Sequence, residues 1–249
     1  LWEFLVNNIK LVIEYDGTNY AGWQQQKKNG KTIHHTLNKA IVKVVNEEIK
    51  LHGAGRTDAG THAIGQVANF KTQSNIPFFN LVQAVNYYLP KDIVVKSAKK
   101  VPEKFHSRYS AKSKVYRYTI LNSKTRNAIG RNYCHYYATD LDIEKMQKAS
   151  KALIGKHDFS TFKSKSEVIS SVRTIKKLEI KKKGEYLFFT IEADGFLYKM
   201  VRAIVGTLLE VGRGKMTLGK FRETVKSGIR AKAGNTVPAN GLCLLRVKY

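Results

Sequence analysis

The eleven residues from 53 to 63, GAGRTDAGTHA, combine a carboxylate, a guanidinium and three glycines in one short stretch. Asp58 follows Arg56 by two positions, and Gly53, Gly55 and Gly60 surround the pair. Glycine permits backbone angles and close approaches that other residues forbid. A loop of this kind can press one carboxylate and one guanidinium against a bulky polyanion. The same composition also suits a phosphate cradle, a helix cap or a plain turn. Two further residues carry usable chemistry. Tyr116 lies in an alternating aromatic and basic stretch, where an ordinary cross-strand ring is the plain reading. Arg202 sits among apolar residues at helical spacing, where a cation that snorkels to the surface is the plain reading. His34-His35 and Cys134-His135 lack the spacing of a metal site.

Charge narrows the partner. The chain has 249 residues, with 44 Lys plus Arg against 19 Asp plus Glu, a formal net charge of +25. Solubility needs only about 2–8 charges on a small domain. Phosphate neutralisation with counterion release rewards such an excess, so nucleic acid is expected ahead of an anionic membrane or a merely solvated basic surface. Thirteen Tyr and eleven Phe offer rings for base stacking as well as for cores. Cys134 and Cys243 are far apart and fit neither a zinc site nor a disulfide framework, in keeping with a reducing compartment. The opening LWEFLVNNIK lacks signal-peptide architecture, and no apolar run reaches transmembrane length. A cytoplasmic protein without a membrane partner is expected.

The elements that must position these residues are legible in outline. Residues 9–15 alternate as a strand and end at the turn Asp16-Gly17-Thr18. Thr32 can cap a helix whose apolar stripe is Ile33, Leu37, Ile41, Val44 and Val45. Strands are expected over 66–71 and 93–101, with a helix between them capped by Asn80 and stopped near Pro90. In the stretch 105–120, FHSRYSAKSKVYRYTI, the second part reads as a strand with Tyr116, Tyr118 and Ile120 on one face. A helix over 141–153, strands over 172–180 and 186–193, helices over 197–211 and 218–227, and a strand over 241–249 complete the chain. Strands and helices mix without strict βαβ alternation, which predicts an α+β fold. Two similar modules are expected, joined within residues 102–112.

Three segments, in this order and spacing, resemble the tRNA pseudouridine synthase A family. The first is YDGTNYAGWQQQ, residues 15–26. The second is the 53–63 loop followed by GQVANF, residues 65–70. The third is DGFLYKMVRAIVG, residues 194–206. SKVYRY at 113–118 and PANGL at 238–242 also look like family segments. The resemblance runs over nearly the whole chain. It departs from the family's pattern at Thr61, where an aliphatic residue is usual, and at His135, where an aromatic is common. Neither residue belongs to the catalytic set that the resemblance implies.

The resemblance implies a fold of two RRM-like halves, residues 1–104 carrying the Asp loop and residues 105–249. They share a continuous, mostly antiparallel mixed sheet flanked by helices, with the active site between them. It implies a reaction in which the N-glycosidic bond of a tRNA uridine breaks, the uracil turns, and a carbon–carbon bond forms to the same sugar. No cofactor and no metal is needed. The expected targets are uridines 38, 39 and 40 of the anticodon stem-loop, and the target base must be flipped out of its stack. By resemblance Asp58 is the catalytic carboxylate, Arg56 holds the flipped nucleotide, and Tyr116 stacks on the uracil and can handle a proton. Arg202 keeps the carboxylate ionised, and Leu242 and Leu244 form an apolar floor. Family members are homodimers whose shared surface grips the tRNA. The alternative is a non-catalytic RRM-like RNA-binding protein, which has no use for Asp58. A deaminase would need H-x-E and P-C-x-x-C, and neither is present.

Overall fold

The computed structural model describes residues 6–24, 30–164 and 170–249. Gln25 and Gln26 of the first motif, and residues 1–5 of the N-terminal stretch, lie outside the described residues. Two compact units are present: Leu1–Lys112 with Leu244–Tyr249, and Ser113–Cys243.

The first unit is organised by β1, Asn7–Tyr15, whose Ile9, Leu11, Ile13 and Tyr15 are all buried. It pairs antiparallel with β3, His62–Thr72, and with β4, Ile93–Val101. Leu11 faces Ala68 on one side and Ala98 on the other. A two-residue strand, β2, His52–Gly53, adds to β3 and leads straight into the Asp58 loop. Helix α1, Ile33–Val45, starts as expected: the Thr32 hydroxyl accepts the His35 N–H at 3.3 Å. Its buried stripe is Ile33, Leu37, Ala40 and Ile41, with Val44 and Val45 only partly covered. Helix α2, Phe78–Tyr88, begins two residues ahead of the expected Asn80 cap, because Pro77 takes the N-cap position with a preset φ of −54°. Asn86 is the amide that matters here: it donates to and accepts from Val95 at 2.9 and 2.8 Å, tying α2 to β4.

The second unit is built on β5, Ser113–Asn122. It pairs antiparallel with β9, Tyr186–Ala193, which pairs in turn with β8, Val172–Lys183, and β8 with β7, Gly155–Asp158. A three-residue strand, β6, His135–Tyr137, runs parallel to β5, so pairing is mixed but mostly antiparallel. Tyr116, Tyr118 and Ile120 are buried, as their alternation predicted. The hairpin between β8 and β9 turns at Gly184, φ +59°, so Lys181, Lys182 and Lys183, which follow the strand expected to stop at residue 180, extend it instead. Helix α3, Ile143–Ser150, is capped by Asp142, whose carboxylate accepts the Lys145 N–H at 2.9 Å. Helix α4, Met200–Gly212, buries every residue except Arg202 and Glu210. Helix α5, Leu218–Lys226, starts from the Thr217 hydroxyl. The last strand, β10, Leu242–Lys248, begins among the residues of the second unit and ends among those of the first.

Residues 105–112 go with the first unit, so the division comes eight residues later than the boundary expected after residue 104. The reason is polar. The Asn8 amide donates to the Phe105 carbonyl at 2.9 Å, and the Ser107 hydroxyl donates to the His52 carbonyl at 2.6 Å. Tyr249 also returns to this unit, donating its hydroxyl to the Ser107 carbonyl at 2.8 Å. Among the described residues no helix is long and apolar enough to cross a membrane.

Candidate active site

Asp58 lies in a loop whose backbone is clamped from several sides. The Ala54 N–H donates to the Val67 carbonyl at 2.7 Å, and the buried Gln66 amide donates to the Gly55 carbonyl at 2.9 Å. These bonds fix the entry of the loop to β3. The Thr57 hydroxyl sits 2.7 Å from the Tyr15 hydroxyl, and the Thr57 carbonyl accepts the Trp23 N–H at 3.1 Å. The Thr61 N–H closes a turn onto the Asp58 carbonyl at 3.1 Å. Asp58 is half-buried and Arg56 is exposed.

The first sequence motif is the other half of this clamp. A Cβ on Gly17 would stand 2.0 Å from the Thr61 carbonyl oxygen, and one on Gly22 would stand 2.6 Å from the Thr57 carbonyl oxygen. Trp23 is 2% exposed and packs on Gly53, where a Cβ would meet its indole nitrogen at 2.4 Å. Its ring lies 6.1 Å from that of Tyr15. Trp23 therefore supports the loop. His62 is buried, and its Nδ1 lies 3.1 Å from both the Gly17 nitrogen and the Asp16 carboxylate, which ties the end of β3 to the first motif. Tyr20 donates its hydroxyl to the Asp92 carboxylate at 2.5 Å, and burial followed by this acidic neighbour pushes the phenol well above its usual range. The segments 15–24 and 53–66 thus form one rigid structure that presents Asp58.

The second unit holds Tyr116, Arg202 and Leu242; Leu244 belongs to the first. Tyr116 is buried on β5, opposite Ile191, with its ring edge-on to Phe196 at 5.0 Å. Phe196 comes from the third motif, so that motif meets SKVYRY inside this unit. Arg202 is aimed by its own main-chain neighbours. Its Nε donates to the Val237 carbonyl at 2.7 Å, while the Val237 N–H donates to the Arg202 carbonyl at 3.4 Å. The segment 234–237 can run this close to α4 because Gly206 has no side chain: a Cβ there would stand 1.7 Å from the Asn235 carbonyl oxygen. Next along the chain, the Pro238 carbonyl accepts the Tyr118 hydroxyl at 2.7 Å. Burial raises the Tyr118 phenol, and the Arg202 charge opposes that rise. Arg202 is partly exposed, whereas Leu242 and Leu244 are both buried.

Sequence reasoning assigned no part to Thr57, Tyr15, Gln66 or Phe196. Tyr15, Thr57 and Gln66 are buried polar or amphipathic residues in or beside the loop, Phe196 packs on Tyr116, and every one stands inside a motif quoted above. The available signal was membership of the motif, which names a residue without its task.

A family model described as tRNA pseudouridine synthase matches residues 11–110 and 149–249. The tRNA pseudouridine synthase A of Thermoanaerobacter sp. (strain X514) is 51% identical over 98% of this chain and 100% of that protein. The chain belongs to this family. It is a pseudouridine synthase, an intramolecular isomerase. The tRNA pseudouridine synthase A 2 of Clostridium perfringens is 49% identical, and the tRNA pseudouridine synthase A of Acetivibrio thermocellus 48% identical. Each alignment covers 98% of this chain and 100% of the relative. A solved Cbf5-Nop10-Gar1 complex aligns with 95% of this chain and 48% of that chain, at 11% identity and a TM-score of 0.43.

Proposed function

We propose that this synthase isomerises uridines 38, 39 and 40 in the anticodon stem-loop of tRNA, as a cytoplasmic homodimer, with Asp58 as its catalytic carboxylate. The carrying observation is the loop itself: Asp58 projects from a backbone held by Tyr15, Gly17, Gly22, Trp23 and Gln66. Preorganisation of this kind is what positional catalysis demands. The isomerisation conserves every atom. The C1′–N1 bond breaks, C1′ bonds to C5, the C5 proton leaves, and N1 gains one. A single carboxylate can serve this reaction as nucleophile at C1′, as nucleophile on the uracil ring, or as promoter of elimination to a glycal. Arg56, exposed next to the loop glycines, is suited to hold the flipped nucleotide by its phosphate. By resemblance to the family, Arg202 is assigned as the cationic partner of the carboxylate, and Leu242 and Leu244 as apolar surface.

The direct test is incubation with unmodified tRNA and mapping of pseudouridine by mass spectrometry. Product at the three anticodon-arm positions is expected; product elsewhere, or none, overturns the assignment. Salt gives the second readout. With a net charge of +25, tRNA affinity should fall by about 10³-fold between roughly 50 and 200 mM salt, the scale for six or more neutralised phosphates. Single-turnover rates at saturating enzyme should change little over that range. A flat binding curve would mean that the basic excess serves another partner.

Tyr116 is open to a sharper division. Its ring is held edge-on by Phe196, so Tyr116→Phe preserves the stacking surface and removes only the hydroxyl. Tyr116→Leu removes both. If the ring stacks on uracil, the leucine variant loses about 1–3 kcal/mol of substrate placement while the phenylalanine variant stays near wild type. If the hydroxyl moves a proton, the phenylalanine variant loses turnover with tRNA affinity intact. Wild-type turnover in both variants would remove Tyr116 from the site.

A further inference from the structure

The first unit carries a second feature that the catalytic loop does not use. A groove of about 330 Å³ is lined by residues that include Glu48, Lys50, His52, Lys71, Lys104 and His106. A run of rings leads out of it. The His52 and His106 rings are 4.6 Å apart, and the His106 and Tyr109 rings 4.5 Å. The Arg108 guanidinium lies 5.6 Å from the centre of the Tyr109 ring. Residues that are about fifty positions apart in the chain are locked into this run by main-chain contacts. The Ser107 N–H donates to the Asn69 side-chain oxygen at 2.8 Å, and the Ser107 hydroxyl reaches the His52 carbonyl. The His106 Nδ1 accepts the Arg108 N–H at 3.1 Å, which fixes the ring's orientation.

Tyr109 is 77% exposed, so its ring has no packing role that would account for it. Burial, reinforced by neighbouring positive charge, lowers the pKa of both His52 and His106. At neutral pH they are uncharged planar surfaces. The groove's cations are lysines. Lys71 is already matched by Glu103 at 2.8 Å, whereas Lys50 and Lys104 have no carboxylate partner among the described residues. Glu48, also in the lining, adds an acceptor suited to a ribose hydroxyl or an exocyclic amino group. An inorganic anion or an acidic peptide would use the lysines and leave the rings idle. A nucleotide uses both: unpaired bases stack on aromatic and guanidinium planes while cations track the backbone.

We propose that this groove seats an unpaired nucleotide of the RNA substrate other than the reacting uridine, its base on His106 and Tyr109 and its phosphates on Lys50 and Lys104. β2 joins the groove to the Asp58 loop, because His52 directly precedes Gly53. Such a subsite would let the enzyme grip the RNA at a point set apart from the chemistry. The inference rests on the reading that the substrate is RNA.

The test uses the full chain with Tyr109→Ala, Tyr109→Phe and Lys104→Glu, and measures binding of unmodified tRNA at fixed salt and then across salt. Thermal melts verify that each variant folds; both sites are exposed. The alanine variant should raise Kd about tenfold, the scale of one base–aromatic stack, and the phenylalanine variant should restore it within about twofold. Lys104→Glu should raise Kd and reduce the salt slope by about one. Wild-type affinity in both Tyr109→Ala and Lys104→Glu overturns the subsite. If the wild-type chain makes pseudouridine while these variants bind normally, only the subsite falls. If the wild-type chain makes none and Tyr109→Ala still loosens tRNA, the subsite stands and the catalytic reading falls.

Discussion

Replacing Asp58 with asparagine should abolish pseudouridine formation while leaving tRNA bound. The amide keeps the size and hydrogen-bonding shape of the side chain but cannot act as a carboxylate nucleophile or base. Loss of a covalent catalyst's nucleophile costs on the order of 10⁴–10⁶ in turnover. The loop should survive the change, because it is held at several other points: the Gln66 amide on the Gly55 carbonyl, the Trp23 N–H on the Thr57 carbonyl, the Tyr15–Thr57 hydroxyl pair and the Thr61 N–H on the Asp58 carbonyl. Binding should stay equal or tighten slightly, since one negative charge is removed from a surface that meets a polyanion. Product can be followed by tritium release from C5-labelled uridine, and affinity by filter retention. Turnover within about tenfold of wild type would end the assignment of Asp58.

Gly22→Ala should be nearly as damaging, although residue 22 is 36 positions from Asp58 in the chain. Gly22 has φ +96°, a conformation that strains any side chain. Its Cβ would stand 2.6 Å from the Thr57 carbonyl oxygen and 3.1 Å from both the Asp58 carbonyl carbon and the Ala59 nitrogen. The carbonyl that must retreat is the one accepting the Trp23 N–H. The loop therefore shifts at the residues flanking the carboxylate. Misplacement by about 1 Å can cost 10²-fold in rate, so kcat should fall about a hundredfold with tRNA affinity within a few-fold of wild type. Gly184→Ala is the matched comparison. That glycine also has positive φ, +59°, but a Cβ there meets nothing within 4 Å. It should lower the melting temperature modestly and leave kcat alone. Equal losses of kcat in the two variants, or none in Gly22→Ala, would show that the contact with Thr57 does not place the catalytic loop.

The sequence by itself determined what depends on neighbours along the chain. The alternation of Ile9, Leu11, Ile13 and Tyr15 is a strand with one buried face wherever it is placed, and the spacing of Ile33, Leu37 and Ile41 is a helix with one buried stripe. Thr32 caps that helix because its hydroxyl reaches an N–H three residues on. The order and spacing of the three motifs pointed to the family that the comparisons show, and the proposal of Asp58 as the carboxylate rests on that resemblance. Where a local preference met a stronger local constraint, the reading slipped: Asn80 is a good cap, but Pro77 starts the helix first. β6 left no trace, since three residues are too few to show a period, and it exists only because β5 offers it a parallel edge. Tertiary structure alone decided why the glycines stand where they do. No residue near Gly22 in the chain reveals its positive φ or the approach of the Thr57 carbonyl. No residue near Gly206 reveals the approach of the Asn235 carbonyl. His52 likewise reads as unrelated to His106 and Tyr109 until the segment 105–112 packs against β2. The physical reason is common to all of these. Periodicity and capping are set by torsions and bonds within a few residues. The positioning of a site is set by steric contact between segments whose separation in the chain carries no record of their distance in space.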